Sequence, residues 1–278
     1  MSNSFPTPRV IYKAPGADRP SFSPDGSQVV FHVQTSDGIS LWTVNSDGTD
    51  PQLIYPPSTT PNPTASRPDW SWSPRIAFGN GSLNGLEIMT VNPDGSDAQP
   101  YTTAARPPGI GLTYPSWYKD LGAIVAVGYG NGLSIAALYK LTPTSSEQLT
   151  TSPNPCAGRP SVNPDGTAIA FAGNQGVCSQ MVNQIWVVEP PGKPYQLEAG
   201  SPADVQGRSP NWSPNGDLIV FESLRQDPTQ QNLAIWVMNS DGTGAHQVTA
   251  SGVHAEWNRQ QTQIVFAAGN GIAIIDYP

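Results

Sequence analysis

The chain has 278 residues, of which 27 are glycine and 30 are proline, and only 12 % are charged. This composition argues against a helical bundle or a coiled coil, whereas eight tryptophans, nine tyrosines and seven phenylalanines supply enough aromatic surface for a folded core. A net charge of −8 disfavours a general nucleic-acid binder, and no apolar run approaches the ~20 residues of a membrane span. The first residues lack a basic segment followed by an apolar one, so we expect no signal peptide in the chain as given.

A short motif recurs along the chain. It consists of a proline followed, two residues later, by an aromatic or apolar residue, and it returns at intervals of 45 to 50 residues. Its proline, or the residue equivalent to it, stands at Pro20, Pro68, Pro115, Pro160, Pro210 and Ala255. Six such units account for nearly the whole chain, so we predict a protein built from six structural repeats.

Each unit is predicted to form four short antiparallel strands. The first contains the motif and ends in a turn such as residues 23–26, Ser-Pro-Asp-Gly, in which proline and glycine favour a tight hairpin. An apolar second strand follows, for example residues 29–31, and then a third, for example residues 41–44. A second Asp-Gly turn leads to a short fourth strand such as residues 52–55. Four-stranded units of this length, repeated six times, predict an all-β, six-bladed β-propeller.

The two ends of the chain are predicted to meet in the last blade. Residues 8–12 match the fourth strand at residues 51–55 almost position by position, whereas the sixth unit stops after its third strand. We therefore predict that the N-terminal strand supplies the missing strand of the sixth blade and removes its open edge. The repeats make residues 1–278 a single domain.

Several of these features together resemble a known family. The first-strand motif, the Pro-Asp-Gly turn, the apolar strand ending in phenylalanine, the Ile-Trp-Val strand and the Asn-x-Asp-Gly turn are similar to the repeat of the six-bladed TolB-like propellers. The resemblance covers residues 8–276 and implies the propeller fold and a periplasmic location. It does not imply one activity, because similar repeats serve as binding platforms, as peptidase domains and in some lyases.

The residues directly before the motif's proline are candidates for a ligand site, because six-fold geometry brings them together at the top-face mouth of the central channel. They are Arg19, Arg67, Tyr114, Arg159, Ser209 (which follows Arg208) and His254. Four of the nine arginines in this acidic chain lie at or beside this position, and guanidinium groups bind carboxylate, phosphate or sulfate through two oxygens. The sequence therefore predicts an anionic ligand. The alternative is a structural network in which Asp18, Asp69 and Glu256 neutralise the arginines.

The leading hypothesis is a monomeric binding protein that recognises a protein segment or an anionic small molecule at this mouth. The alternative is an enzyme, either a lyase or hydrolase of an anionic saccharide or an isomerase or cyclase of a small metabolite. In that case Tyr114 or His254 would move a proton beside the arginines. We expect no cofactor and no metal, because the sequence does not reproduce the His-rich manganese site of TolB-like lyases that act on uronates.

The two cysteines belong to the fourth unit. Cys156 precedes its first strand, and Cys178 lies in the long loop after its second strand. Propeller topology puts both on the same face of one blade, which predicts a disulfide between them. A disulfide implies an oxidising compartment, and the low share of charged residues agrees with export. We therefore expect a periplasmic or extracellular protein.

Overall fold

The computed structural model describes residues 5–56, 67–81, 85–101, 106–119, 122–130, 136–151, 156–174, 184–197, 207–224 and 232–278. All of the regular secondary structure in these ranges is β-strand. No helix with the length and apolar character needed to cross a membrane occurs among them.

The first half of the chain forms one N-terminal strand and three blades. The N-terminal strand is β1 (Arg9–Lys13), and blade 1 contains β2 (Ala17–Phe22), β3 (Gln28–Thr35), β4 (Gly38–Asn45) and β5 (Gln52–Tyr55). Blade 2 contains β6 (Ile76–Asn80), β7 (Glu87–Val91) and β8 (Gln99–Pro100). Blade 3 contains β9 (Ile110–Trp117), β10 (Ile124–Gly130), β11 (Ala137–Leu141) and β12 (Ser146–Gln148).

The second half forms three more blades. Blade 4 contains β13 (Cys156–Val162), β14 (Ile169–Asn174), β15 (Gln184–Val188) and β16 (Tyr195–Gln196). Blade 5 contains β17 (Gly207–Trp212), β18 (Leu218–Ser223), β19 (Ala234–Asn239) and β20 (His246–Gln247). Blade 6 contains β21 (Val253–Trp257), β22 (Gln263–Ala268) and β23 (Gly271–Asp276). The predicted six-bladed, all-β propeller is confirmed.

Each blade is an antiparallel sheet whose strands follow one another from the channel outwards. Five of the six sheets have four strands in the described residues. Blade 2 has three, because its innermost segment is reduced to one bridge between Asp69 and Ala77. In that blade residues 71–75 read Ser-Trp-Ser-Pro-Arg, whereas units 1, 4 and 5 have Pro-Asp-Gly or Pro-Asn-Gly at this turn, which favours a tight hairpin. Trp72 instead lies beside Arg259 of blade 6, with its ring centroid 4.6 Å from the guanidinium carbon.

The N-terminal strand closes the ring as predicted. β1 pairs antiparallel with β23, with Arg9 opposite Ile274 and Lys13 opposite Gly271, so the sheet of blade 6 has the order β1-β23-β22-β21. Ile11 of β1 is buried and packs in a cluster that includes Phe31 of blade 1. The outer strand of the last blade therefore comes from the start of the chain, and its Ile11 side chain packs in the core between blades 6 and 1.

The core consists of layers between neighbouring blades. The second strand carries a fully buried phenylalanine at the same repeat position in five blades: Phe31, Phe78, Phe171, Phe221 and Phe266. One cluster joins Val220 of blade 5 to Phe266 of blade 6, and the other clusters combine adjacent blades in the same way. Burying each such ring stabilises the fold by about 1.5–3 kcal/mol, so most of the stability comes from blade-to-blade packing.

A closed ring of side-chain hydrogen bonds joins the inner strands, and we call it the girdle. In every blade the residue after the motif's proline accepts a hydrogen bond from the backbone N–H two residues after the proline of the next blade. The six bonds are Trp70 to Ser21 at 2.9 Å, Trp117 to Asp69 at 2.6 Å, Val162 to Ser116 at 3.4 Å, Trp212 to Ser161 at 3.1 Å, Trp257 to Asn211 at 3.4 Å and Phe22 to Glu256 at 3.2 Å. These inner-edge N–H groups have no further strand to pair with, so the girdle satisfies them.

Candidate functional site

A cavity of about 100 Å³ lies at the top-face mouth of the channel, directly above the girdle. The residues that line it come from all six blades and surround the motif's proline. They include all six residues that precede the proline position: Arg19, Arg67, Tyr114, Arg159, Ser209 and His254. The structure therefore brings this predicted set together. Arg208 is not among the lining residues, since its neighbour Ser209 takes the equivalent place.

The backbone at this position is unusual. Five of the six residues have left-handed φ angles: 55° at Arg19, 55° at Tyr114, 53° at Arg159, 48° at Ser209 and 56° at His254. In the same five blades the strand register shifts here, so that two inner residues oppose one residue of the second strand. This is a β-bulge in which glycine would ordinarily supply the left-handed residue, and a side chain there costs about 1–2 kcal/mol.

One carboxylate at the mouth, that of Asp18, faces the side chains of His254 and Arg19. The Nδ1 of His254 lies 2.6 Å from Asp18 Oδ1, and the Nε of Arg19 lies 4.0 Å from Asp18 Oδ2. Burial alone would raise the pKa of Asp18, but the hydrogen bond from His254 and the charges of His254 and Arg19 hold it well below its usual range. Burial, together with the charge of Arg19, lowers the pKa of His254, so its imidazole is neutral near pH 7.

A second carboxylate beside the mouth, that of Glu222, contacts Arg159 and the backbone of His254. Glu222 is almost fully buried, its Oε1 lies 2.6 Å from Arg159 Nη1, and its Oε2 accepts a 2.8 Å hydrogen bond from the His254 backbone N–H. Ser209 Oγ bonds both to Arg159 and to Glu222. Burial opposes ionisation here, yet the charges of His254 and Arg159 and the backbone hydrogen bond keep the pKa of Glu222 below its ordinary value.

Arg67 differs from the other arginines of the mouth. Its guanidinium carbon lies 3.0 Å from the ring centroid of Tyr114, and its buried Nη1 has no hydrogen-bond partner in the part of the chain that the structure describes. No carboxylate within the described ranges lies within ion-pair distance of it. Burial, reinforced by the charges of Arg19 and Arg159, lowers the pKa of the Arg67 guanidinium well below its ordinary value, and burial lowers that of Arg19 to about 10. Among the described residues, Arg67 is therefore the arginine of the mouth that lacks an ion-pair partner.

Asp69 and Glu256 were the other predicted counter-ions, and the structure places them in the girdle, where both also line the cavity. Asp69 accepts hydrogen bonds from the backbone and hydroxyl of Ser71 at 2.9 and 2.7 Å, as well as the girdle bond. Glu256 accepts a 2.8 Å bond from the Ser21 hydroxyl. Burial raises the pKa of both carboxyls, and the charge of Asp69 raises that of Glu256 further. The counter-ion that the sequence did not identify is Glu222, which ends an otherwise apolar strand.

The remaining predicted features lie elsewhere. Cys156 begins β13 and is disulfide-bonded, whereas Cys178 lies outside the described residues, so the pairing of the two stays a prediction. No group of three or more His, Cys, Asp or Glu side chains that could hold a metal ion occurs in the part of the chain that the structure describes. Most of the long loop predicted to carry Cys178 also lies outside the described residues.

Comparison with known proteins identifies the fold but not the activity. No protein-family model and no curated protein matches the chain. Among solved structures, a putative TolB from Agrobacterium tumefaciens is 18 % identical and has a TM-score of 0.69 over 97 % of this chain and 94 % of that chain. TolB from Acinetobacter baumannii is 13 % identical, with a TM-score of 0.68 over 92 % of this chain and 65 % of that chain.

A gluconolactonase from Xanthomonas campestris is also similar. It is 13 % identical, with a TM-score of 0.66 over 97 % of this chain and 89 % of that chain. At these identities the likeness shows that the chain has the six-bladed TolB-like fold. Because an enzyme and TolB proteins share this architecture, the fold does not choose between binding and catalysis.

Proposed function

We propose that the protein is a binding propeller whose top-face mouth holds an anionic group of its ligand, carried either by a protein segment or by a small molecule. The observation that supports this proposal is Arg67, with its unpartnered Nη1 and with no carboxylate partner among the described residues. An anion bound there would supply the missing hydrogen-bond acceptor and offset the mutual repulsion of Arg67, Arg19 and Arg159.

The left-handed residues give independent support. A backbone that is strained at one place in five blades persists only if the surrounding structure holds it, and such strain often accompanies binding sites. Glycine would relieve the strain, yet none of the six positions is glycine. The side chains at the mouth are therefore retained at an energetic cost, as expected if they contact a ligand.

Thermal unfolding in different salts tests the proposal. We expect sodium acetate, phosphate or sulfate to raise the Tm of the wild-type protein above its value in sodium chloride at the same ionic strength. The Arg67→Met variant should lose this increase. The control is Arg75→Met, since Arg75 is paired with Asp97 at 2.7 Å and does not line the mouth. An equal anion effect in the wild-type and Arg67→Met proteins would contradict the proposal.

Stability separates this proposal from the structural-network alternative. A purely structural role predicts that Arg67→Met lowers the free energy of unfolding, as Arg159→Met should by about 3 kcal/mol because it leaves Glu222 buried and unpaired. A ligand site predicts that Arg67→Met leaves the free energy of unfolding unchanged or raises it, since it removes an unbalanced charge. Urea unfolding of both variants without added anions measures the difference.

The enzymatic alternative also has one specific observation in its favour. His254 Nδ1 is hydrogen-bonded to Asp18, while its Nε2 has no partner, which is the arrangement of a histidine oriented as a general base. Beside the arginines, His254 Nε2 would remove a proton from the substrate carbon next to a carboxylate. Exchange of this hydrogen of a carboxylate substrate for deuterium in deuterated water, followed by NMR, tests the enzymatic alternative. Exchange that persists in the double variant Tyr114→Phe, His254→Gln would exclude it.

We also propose a periplasmic or extracellular location and a monomeric state. The disulfide-bonded Cys156 and the resemblance to TolB-like propellers support the location. Under this proposal a reducing agent lowers the Tm of the protein, and static light scattering gives the mass of one chain.

A further inference from the structure

We infer that the anionic group at the mouth is a single carboxylate whose neighbouring atom carries a hydrogen-bond donor, as in a 2-hydroxy acid or the last residue of a peptide. This inference rests on the proposed function and specifies the chemistry of the ligand. It follows from the charges around the mouth, from the unpartnered ring nitrogen of His254 and from the size of the cavity.

The charges at the mouth leave room for one negative charge. Asp18 faces Arg19 and the neutral His254, and Glu222 faces Arg159, so each of these carboxylates is matched by one arginine. Arg67 remains without a carboxylate among the described residues. Asp69 and Glu256 also line the cavity, and burial raises the pKa of both carboxyls, which disfavours their charged forms. With one arginine that has no ion-pair partner among the described residues and four carboxyl groups in or beside the cavity, a ligand with a single negative charge fits better than a dianion.

The histidine adds a requirement for a donor. Asp18 is an ionised acceptor, so the proton of the neutral His254 ring is on Nδ1, and Nε2 carries a lone pair. Nε2 is buried and has no hydrogen-bond partner. A simple carboxylate cannot donate to it, but a hydroxyl or an amide N–H beside the carboxylate can. The pair of unsatisfied atoms, Arg67 Nη1 and His254 Nε2, thus calls for an acceptor and a donor on one ligand.

The cavity volume fits this group and little more. A cavity of about 100 Å³ exceeds several-fold the roughly 10–15 Å³ that one enclosed water requires. It accommodates a carboxylate with one adjacent polar group, while the remainder of a larger ligand extends outwards through the open mouth. Both a small hydroxy acid and the C-terminal end of a peptide meet this condition, and they present the same chemistry to Arg67 and His254.

Calorimetric titration with matched probes tests the inference. Lactate and propionate differ by one hydroxyl, so we expect lactate to bind about 3- to 10-fold more tightly to the wild-type protein. Sulfate should bind more weakly than either. N-acetylalanine has an amide N–H beside its carboxylate, and tighter binding of it than of lactate identifies a peptide end as the source, whereas the reverse order identifies a small hydroxy acid.

Two variants assign the contacts. His254→Phe should remove the preference for lactate over propionate. Arg67→Met should weaken both by about tenfold or more. Circular dichroism confirms that each variant is folded, and Arg75→Met serves as the matched control.

Four other binding results would contradict the inference. Equal binding of lactate and propionate to the wild-type protein overturns the donor requirement. Tightest binding of sulfate or phosphate, still dependent on Arg67, overturns the carboxylate and leaves the anion site of the proposed function intact. The absence of heat from every carboxylate probe overturns the inference as well. Binding that does not change in Arg67→Met overturns both the inference and the proposed function.

Discussion

Folding shifts the pKa values of two glutamates on neighbouring blades in opposite directions. Glu222 receives an arginine and a backbone N–H, whereas Glu256 lies in the girdle near Asp69 with no arginine partner among the described residues. The pKa of Glu222 is therefore lowered on folding, and that of Glu256 is raised above its ordinary value of 4.5. Each unit of such a shift corresponds to about 1.4 kcal/mol of stability that depends on pH.

The two shifts predict opposite pH dependences. The folded protein holds the Glu256 proton more tightly than the unfolded chain does, so the stability from this group is present below pH 4.5 and is lost as the pH rises. Glu256→Gln, which keeps an acceptor oxygen, should raise Tm at pH 7–8 and change it little near pH 4. Glu222→Gln should lower Tm at pH 7, and the loss should shrink below pH 4.5. Thermal scans between pH 3 and pH 8 compare the variants, and parallel curves would contradict the prediction.

The left-handed residues make a second prediction at this scale. Tyr114→Gly and Tyr114→Ala both remove the ring that Arg67 stacks on, but alanine keeps the strained φ of 55°. We expect the glycine variant to be more stable by about 1 kcal/mol in urea unfolding. The control is Glu147 on β12, where glycine should be the less stable of the two replacements. If the glycine variant were the more stable one at both Tyr114 and Glu147, or the less stable one at both, this prediction would be wrong.

The sequence predicts which side chains meet at the mouth but not how the backbone presents them. Six-fold repetition alone is enough to bring the residues before the prolines together. The bulge could not be foreseen, because a residue before proline ordinarily adopts an extended conformation and no glycine marks the position. Glu222 was missed as a counter-ion for a different reason. Its distance from Arg159 depends on how the second strand of blade 5 lies against the inner strand of blade 4, and no local pattern records it.

At the scale of elements, the girdle links each inner strand to the next by one bond. Ser161→Ala removes the acceptor of the Trp212 backbone N–H and should lower the free energy of unfolding by about 1–2 kcal/mol. Ser116→Ala is the matched control, because its bond to Val162 is longer, at 3.4 Å, and should contribute less. Urea unfolding of both variants measures the difference, and an equal loss would mean that the bonds do not set the stability of the inner strands.

Strand positions could be predicted closely where each unit keeps its turn residues. The predicted fourth strand at residues 52–55 is β5, and the apolar second strands are buried as expected. Blade 2 is the exception, since its innermost segment forms one bridge in place of a strand and residues 71–75 contain no glycine. The girdle itself could not be predicted. Serine, aspartate, asparagine and glutamate occupy one repeat position, and their sequence does not indicate that all of them accept the same hydrogen bond.

At the scale of the whole molecule, the pairing of β1 with β23 holds the ring closed. Deleting residues 1–13 removes this strand and the buried Ile11 side chain, and it leaves β23 as an open edge. We expect a lower Tm and concentration-dependent self-association, because an unpaired edge strand pairs with other chains. Light scattering measures the association, and a synthetic peptide of residues 5–15 should reverse it. A monomeric deletion variant with unchanged Tm would show that closure does not depend on β1.

The girdle follows one rule in every blade: a side-chain oxygen on one flank and a backbone N–H on the other, always in the same rotational sense. Every seam between two inner strands therefore uses the same kind of bond. A circular permutant whose chain begins at another blade, with the old termini joined, keeps the same neighbours around the axis and would rebuild the same six bonds. The blade at which the chain begins is thus independent of the girdle.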